Sequence, residues 1–163
     1  MPMKRPDLVS PNAGLLGYRQ FQMAYVTNDL DRALAILRAQ YGIADFTVFS
    51  PAPGQPMRIA LAWCGETMFE VIDATGMGID IYDKALPDDF AIRFHHIGLE
   101  VADEIQWDCL QASIRAGNHV VDFAGDNDVA RFAYVNAPEL GHYVEYVLLH
   151  EQGRLFFESV AAN

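Results

Sequence analysis

Cysteine is nearly missing: Cys64 and Cys109 are the only two in 163 residues. They form neither a CxxC pair nor a disulfide-scaffold spacing, so the fold rests on a packed core and suits a reducing compartment. Positive charge is also short. With 11 Lys and Arg against 22 Asp and Glu the net charge is −11, which repels nucleic-acid phosphates and anionic membrane surfaces instead of neutralising them. No apolar run approaches the roughly 20 residues needed to cross a bilayer. The first residues, Met-Pro-Met-Lys-Arg-Pro-Asp, lead into no apolar segment of secretory type, so the cytoplasm is the expected location. Phosphate-cradling GxGxxG and P-loop motifs, the nucleophile elbow and zinc-finger spacings are all absent. A small-molecule partner is what these exclusions leave.

What the chain does contain is an internal repeat. Gln22-Met-Ala-Tyr-Val-Thr-Asn-Asp29 aligns with His96-Ile-Gly-Leu-Glu-Val-Ala-Asp103, Arg58–Trp63 with Arg131–Asn136, and Phe69-Glu-Val-Ile72 with Val144-Glu-Tyr-Val147. The three blocks recur in one order at a nearly constant offset. Each copy reads as β-α-β-β-β. In the first, an apolar and aromatic strand over Tyr18–Thr27 precedes a helix capped by Asn28 or Asp29. Leu30, Ala33, Leu34, Leu37 and Tyr41 fall on one helix face, and Gly42 stops it. Strands follow near Phe46–Ser50, Met57–Cys64 and Thr67–Asp73, the last two joined by the tight turn Gly65-Glu66. The second copy has a strand at Phe94–Val101, a helix over Glu104–Ala116, and strands near His119–Phe123, Arg131–Asn136 and Tyr143–Leu149. The loop Ala124–Asp128 separates the first two of these, and Pro138 with Gly141 marks the last turn. The expected layout is one domain over 1–163: a first module at 18–73, a linker at 74–90, a second module at 91–149 and a tail or short helix at 150–163.

Alternate strand residues point to opposite faces. In the second module's first strand, His95, Ile97, Leu99 and Val101 alternate with Phe94, His96, Gly98 and Glu100; in the first module's, Met23 and Tyr25 alternate with Gln22, Ala24 and Val26. The bulkier face suits packing under helices. The small, polar face suits a cup that holds a ligand, and parity turns His95 away from it. Glu70 and Glu145 each stand alone in an apolar strand, where a buried carboxylate needs a partner. Equivalent positions of the two copies thus carry Gln22 and Glu70, and His96 and Glu145. One nitrogen and three oxygen donors suit an octahedral divalent metal with open water positions. Arg58 and Arg131 also occupy equivalent positions; assigned to the cup, they would anchor an anionic part of a substrate. Phe46, Phe49, Phe90 and Phe94 are candidates for apolar walls, with core packing the expected role of most; Phe46 and Phe49 face opposite ways on a regular strand, so at most one of that pair lines the cup.

The paired strands QMAYVTND and HHIGLEVAD, followed by FEVID and GHYVEYV, resemble the vicinal-oxygen-chelate superfamily of glyoxalases, epimerases, extradiol dioxygenases and bleomycin-resistance proteins. The resemblance spans about residues 18–149. It implies an α+β fold in which two tandem βαβββ modules form a cup-shaped mixed sheet with helices outside, commonly in a homodimer. The order Gln22, Glu70, His96, Glu145 matches the metal ligands of glyoxalase I, and the second module is similar to methylmalonyl-CoA epimerase. Val26 and Ile92, with Arg93 one place off, stand where glyoxalase I carries arginines for glutathione. Gln22 stands where the epimerase has histidine, and it breaks the two-histidine triad of the dioxygenases. The implied activity is that of a lyase or isomerase using a divalent metal (Zn, Ni, Co, Mn or Fe). Such an enzyme moves a proton next to a carbonyl through an enediolate or enolate that the metal stabilises, with Glu145 or Glu70 as base. The alternative is a metal-free cup that binds a drug-like molecule, as resistance proteins do.

Overall fold

The computed structural model describes residues 14–51 and 53–163; the first residues, on which the expectation about a secretory signal rests, lie outside them. Strand β1 (Arg19–Thr27) runs into helix α1 (Leu30–Tyr41) through Asp29. The Arg32 N–H donates to the Asp29 carboxylate at 3.0 Å, which satisfies one of the unpaired donors of the first turn. Gly42 closes the helix at φ 75°, a left-handed conformation that side chains resist. Leu30, Ala33, Leu34 and Leu37 are buried, whereas Tyr41 at the last turn is 71% exposed and leaves that face. β2 (Thr47–Phe49), β3 (Arg58–Cys64) and β4 (Thr67–Asp73) complete the first β-α-β-β-β run.

The stretch expected as linker carries a short helix, α2 (Asp80–Asp83). Then come β5 (Ile92–Glu100), α3 (Glu104–Ala116), β6 (Val121–Asp126), β7 (Ala130–Ala137) and β8 (His142–Leu149). β6 takes in Ala124–Asp126, which the sequence suggested were loop. Gly125 pairs with Phe132 in the ladder, and a Cβ on it would sit 2.7 Å from the Phe132 ring. That glycine serves packing, not a turn.

All eight strands form one mixed sheet in the order β2-β3-β4-β1-β5-β8-β7-β6. The seam is the antiparallel pair β1–β5; outward from it, β4 lies parallel to β1 and β8 parallel to β5. Each half is therefore the other's near-copy about the seam, as the repeat requires. α1 covers one half of the outer face, with Leu30, Leu34 and Leu37 against Ala60 and Val71. α3 covers the other, with Trp107, Leu110 and Ile114 against Leu99, Val135 and Tyr146. The inner face is the cup. Helix α4 (Glu151–Glu158) and the last residues cross from the second half back to the first. There Trp63 donates its indole N–H to the Phe157 carbonyl at 3.1 Å and its backbone N–H to Ala161 at 2.8 Å.

Candidate metal centre

Directly paired residues of adjacent strands share a face, so register decides what lines the cup. Glu70 on β4 is opposite Leu61 and beside Ala24; Glu145 on β8 is opposite Tyr134 and beside Gly98. Gln22 is opposite Gly98, and Ala24 is opposite His96. The four expected ligands thus come from the four central strands. On a flat sheet β4 and β8 would stand three spacings apart, roughly 14 Å. Curvature closes that gap: one donor atom each from Glu70, His96 and Glu145 lie within 4.8 Å of one another. All three come from a single chain, so these donors converge without a second copy. Gln22, 2% exposed, lines the same cavity as Glu70 and Glu145.

Two bulges tune this arrangement. The β1–β5 register slips at Phe21 and again at His95, each just before an expected ligand. A bulge turns neighbouring side chains toward the same side. His95 therefore does not point away from the cup, as regular alternation required; its ring packs among Tyr82, Tyr134 and Tyr143. Gly98 supplies room, since a Cβ there would lie 2.5 Å from Gln22 Oε1.

The proton positions follow from the contacts. The Ile81 carbonyl only accepts, so His95 donates to it from Nε2 at 2.8 Å. Burial, then the neighbouring His96, push the His95 pKa down to about 4, so His95 stays neutral and its Nδ1 is bare. His96 then donates from Nδ1 to that atom at 2.8 Å. Its Nε2 is left facing Glu145 at 3.1 Å and Glu70 at 3.3 Å. These are ion-pair distances without hydrogen-bond direction: His96 Nε2, Glu70 Oε2 and Gln22 Oε1 are buried with no hydrogen-bond partner. Buried donor atoms gathered this closely, some of them without hydrogen bonds, suit ligands of a cation. The residues fit a divalent metal.

Electrostatics agree. Burial works against charging His96, but Glu145 and Glu70 outweigh it and lift its pKa to about 9. Burial raises the Glu70 carboxyl, with Glu145 adding to the rise and His96 opposing it. The pocket thus demands one positive charge near the imidazole nitrogen, supplied by a proton or by a metal.

The arginines are a correction. Register sets Arg58 opposite Asp73 and Arg131 opposite Leu148, on the helix face. There Arg58 meets Asp31 at 2.9 Å, and Arg131 meets Glu104 and Asp126 at 2.7 Å. Neither reaches the cup to hold a substrate. The same register puts Tyr134 beside the centre, which alternation alone had missed. Its ring lies 4.9 Å from that of His96, and its hydroxyl accepts from Tyr82 at 3.1 Å. The signal was present in the turns: Gly65-Glu66 pairs Cys64 with Thr67 and hence Leu61 with Glu70. The Pro138–Gly141 turn pairs Ala137 with His142 and hence Tyr134 with Glu145.

No protein-family model matches the sequence, and no curated protein is significantly similar to it. Solved structures do match. A methylmalonyl-CoA epimerase in complex with methylmalonyl-CoA and NH4+ superposes with TM-score 0.61 at 22% identity, over 82% of this chain and 96% of that one. A variant of the Streptomyces coelicolor enzyme, bound to 2-nitronate-propionyl-CoA, gives 0.62 at 22% over the same shares. The Mycobacterium tuberculosis methylmalonyl-CoA epimerase gives 0.58 at 14%, over 88% of this chain and 95% of that one. The fold is that of the vicinal-oxygen-chelate, glyoxalase-like proteins.

Proposed function

We propose that this chain is a metal-dependent isomerase or lyase that moves a proton at the carbon next to a carbonyl. The observation that carries the reading is the convergence of buried donor atoms from Glu70, His96 and Glu145, with an unpartnered Gln22 oxygen lining the same cavity. A bound divalent metal would act as a Lewis acid toward the substrate oxygen. Glu145, or Glu70 across the cup, takes the proton from carbon and returns it as a general base and acid. Glu70 suits a group that holds a proton in mid-reaction, because burial raises its pKa. Tyr82 donates to Tyr134, which frees the Tyr134 O–H to donate to a substrate oxygen; burial raises the pKa of both phenols and keeps them protonated. His95 fixes the His96 ring and tautomer.

The metal-free binding cup is not favoured, since two buried carboxylates serve no purpose in it and burying them is costly. A cytoplasmic protein suits the two free cysteines, and the homodimer implied by the resemblance belongs to the same reading. Among the described residues no helix is long and apolar enough to cross a membrane. The test is solvent-deuterium incorporation next to the carbonyl across α-hydroxycarbonyl compounds and acyl-CoA esters. Glu145→Gln and Glu70→Gln should each slow it by about 10²-fold or more with the fold intact. Wild-type incorporation in both single variants would overturn the mechanism.

A further inference from the structure

The cavity over the centre has a volume of about 650 Å³, within the roughly 300–1,000 Å³ of pockets that take small organic ligands. Its wall is built from rings: Phe49 on β2, Phe123 on β6, Phe132 on β7, Tyr82 from α2, and Phe156 and Phe157 from α4. Several meet edge to face, as Phe49 and Phe156 do at 4.9 Å between centroids. Gln22, Glu70 and Glu145 form the buried floor, and Ser50, Asn127, Asp128 and Gln152 line the cavity elsewhere. Among the described residues no Lys or Arg lines it; the charged ones that do, Glu70, Asp128 and Glu145, are all acidic.

Among the described residues, four arginines of the surrounding elements line other surfaces. Arg58 and Arg131 are ion-paired on the helix face. Arg19 and Arg154 line a neighbouring hollow behind Phe21 and Phe157, together with Glu66, Glu100 and Glu158. A polyanionic or carboxylated substrate entering the cup would lose water and meet no positive side chain of the described lining in return. An aryl group would find ring faces and edges along that wall.

We infer that the cup takes an uncharged aryl carbonyl compound, its oxygens directed to the floor and its ring to the phenylalanine wall, and not a CoA thioester or other anionic conjugate. This rests on the proposed reading of the centre for the chemistry, but the wall and its charge select the substrate independently. The epimerases of the same fold, by contrast, are solved with methylmalonyl-CoA or 2-nitronate-propionyl-CoA.

The test is isothermal titration calorimetry on the purified protein with phenyl, naphthyl and biphenyl α-hydroxyketones, each paired with its ring-carboxylate analogue, and with methylmalonyl-CoA. The neutral member of at least one pair should bind about tenfold or more tighter than its carboxylate, and methylmalonyl-CoA should bind more weakly still. Phe132→Lys, which sets a cation in the wall, should narrow that gap. Equal or tighter binding of the carboxylates, tighter binding of methylmalonyl-CoA, or no binding by any neutral ketone would overturn the inference. Solvent-deuterium exchange in the same samples separates the two claims. Neutral ketones that bind but do not exchange support the substrate class and count against the proton-transfer reading.

Discussion

On the helix face of the sheet, Arg58 meets Asp31 at 2.9 Å and Arg131 meets Asp126 at 2.7 Å, with both acids open to water. On the cup face, Glu70 and Glu145 meet His96 at 3.3 and 3.1 Å with the imidazole wholly buried. The distances are alike and the physics is not. Outer pairs hold charges that water would solvate nearly as well, so they contribute little. Inner charges have lost their water and depend on one another and on whatever cation they hold. Acid and base side chains thus lie in solvent on one face and, on the proposed reading, serve chemistry on the other, and strand register assigns each to its face.

The comparison breaks hardest at the glutamates, where removing either inner carboxylate should cost orders of magnitude in proton exchange, as set out above. The next effect is on stability in the chelator-treated protein. His96 is lifted from 6.5 to about 9, so its contribution is fully present below pH 6.5 and is lost as pH rises through 9. The raised Glu70 carboxyl acts in the same sense, because it too binds its proton more tightly in the folded state. Unfolding free energy should therefore fall by up to about 3 kcal/mol between pH 6 and 9.5. Urea titrations at the two pH values measure it, and His96→Ala should flatten the dependence. A smaller change is expected at Gly98→Ala, whose methyl would push the Gln22 amide aside. Metal affinity should drop by about 10–100-fold in competition with a chromogenic chelator, with the fold retained. Smallest of all, Arg58→Ala and Arg131→Ala should leave proton exchange and ligand affinity at wild-type level. A large loss of affinity in either would return the arginines to the substrate.

Much of this was legible in the chain. The repeat fixed two β-α-β-β-β units, and the aligned polar positions picked out Gln22, Glu70, His96 and Glu145, because symmetry makes coincidence between copies improbable. Alternation by itself could not say which parity of a strand faces the cup. It put Arg58 and Arg131 inside and left Tyr134 out, although the short turns beside Glu70 and Glu145 already set the register. His95 was beyond reach in another way: a bulge follows from the packing of β1 on β5, not from any local motif. The aromatic wall was obscure because its rings come from β2, α2, β6, β7 and α4, elements that meet only when the sheet curves and the tail crosses it.

The central claim is that the inner donors form a metal site, and metal analysis by mass spectrometry on untagged protein tests it most directly. The wild type should carry about one equivalent of divalent metal, and the Gln22→Ala/His96→Ala double variant should lose it. A folded wild type that carries no metal, and takes up none when divalent ions are supplied, would contradict it.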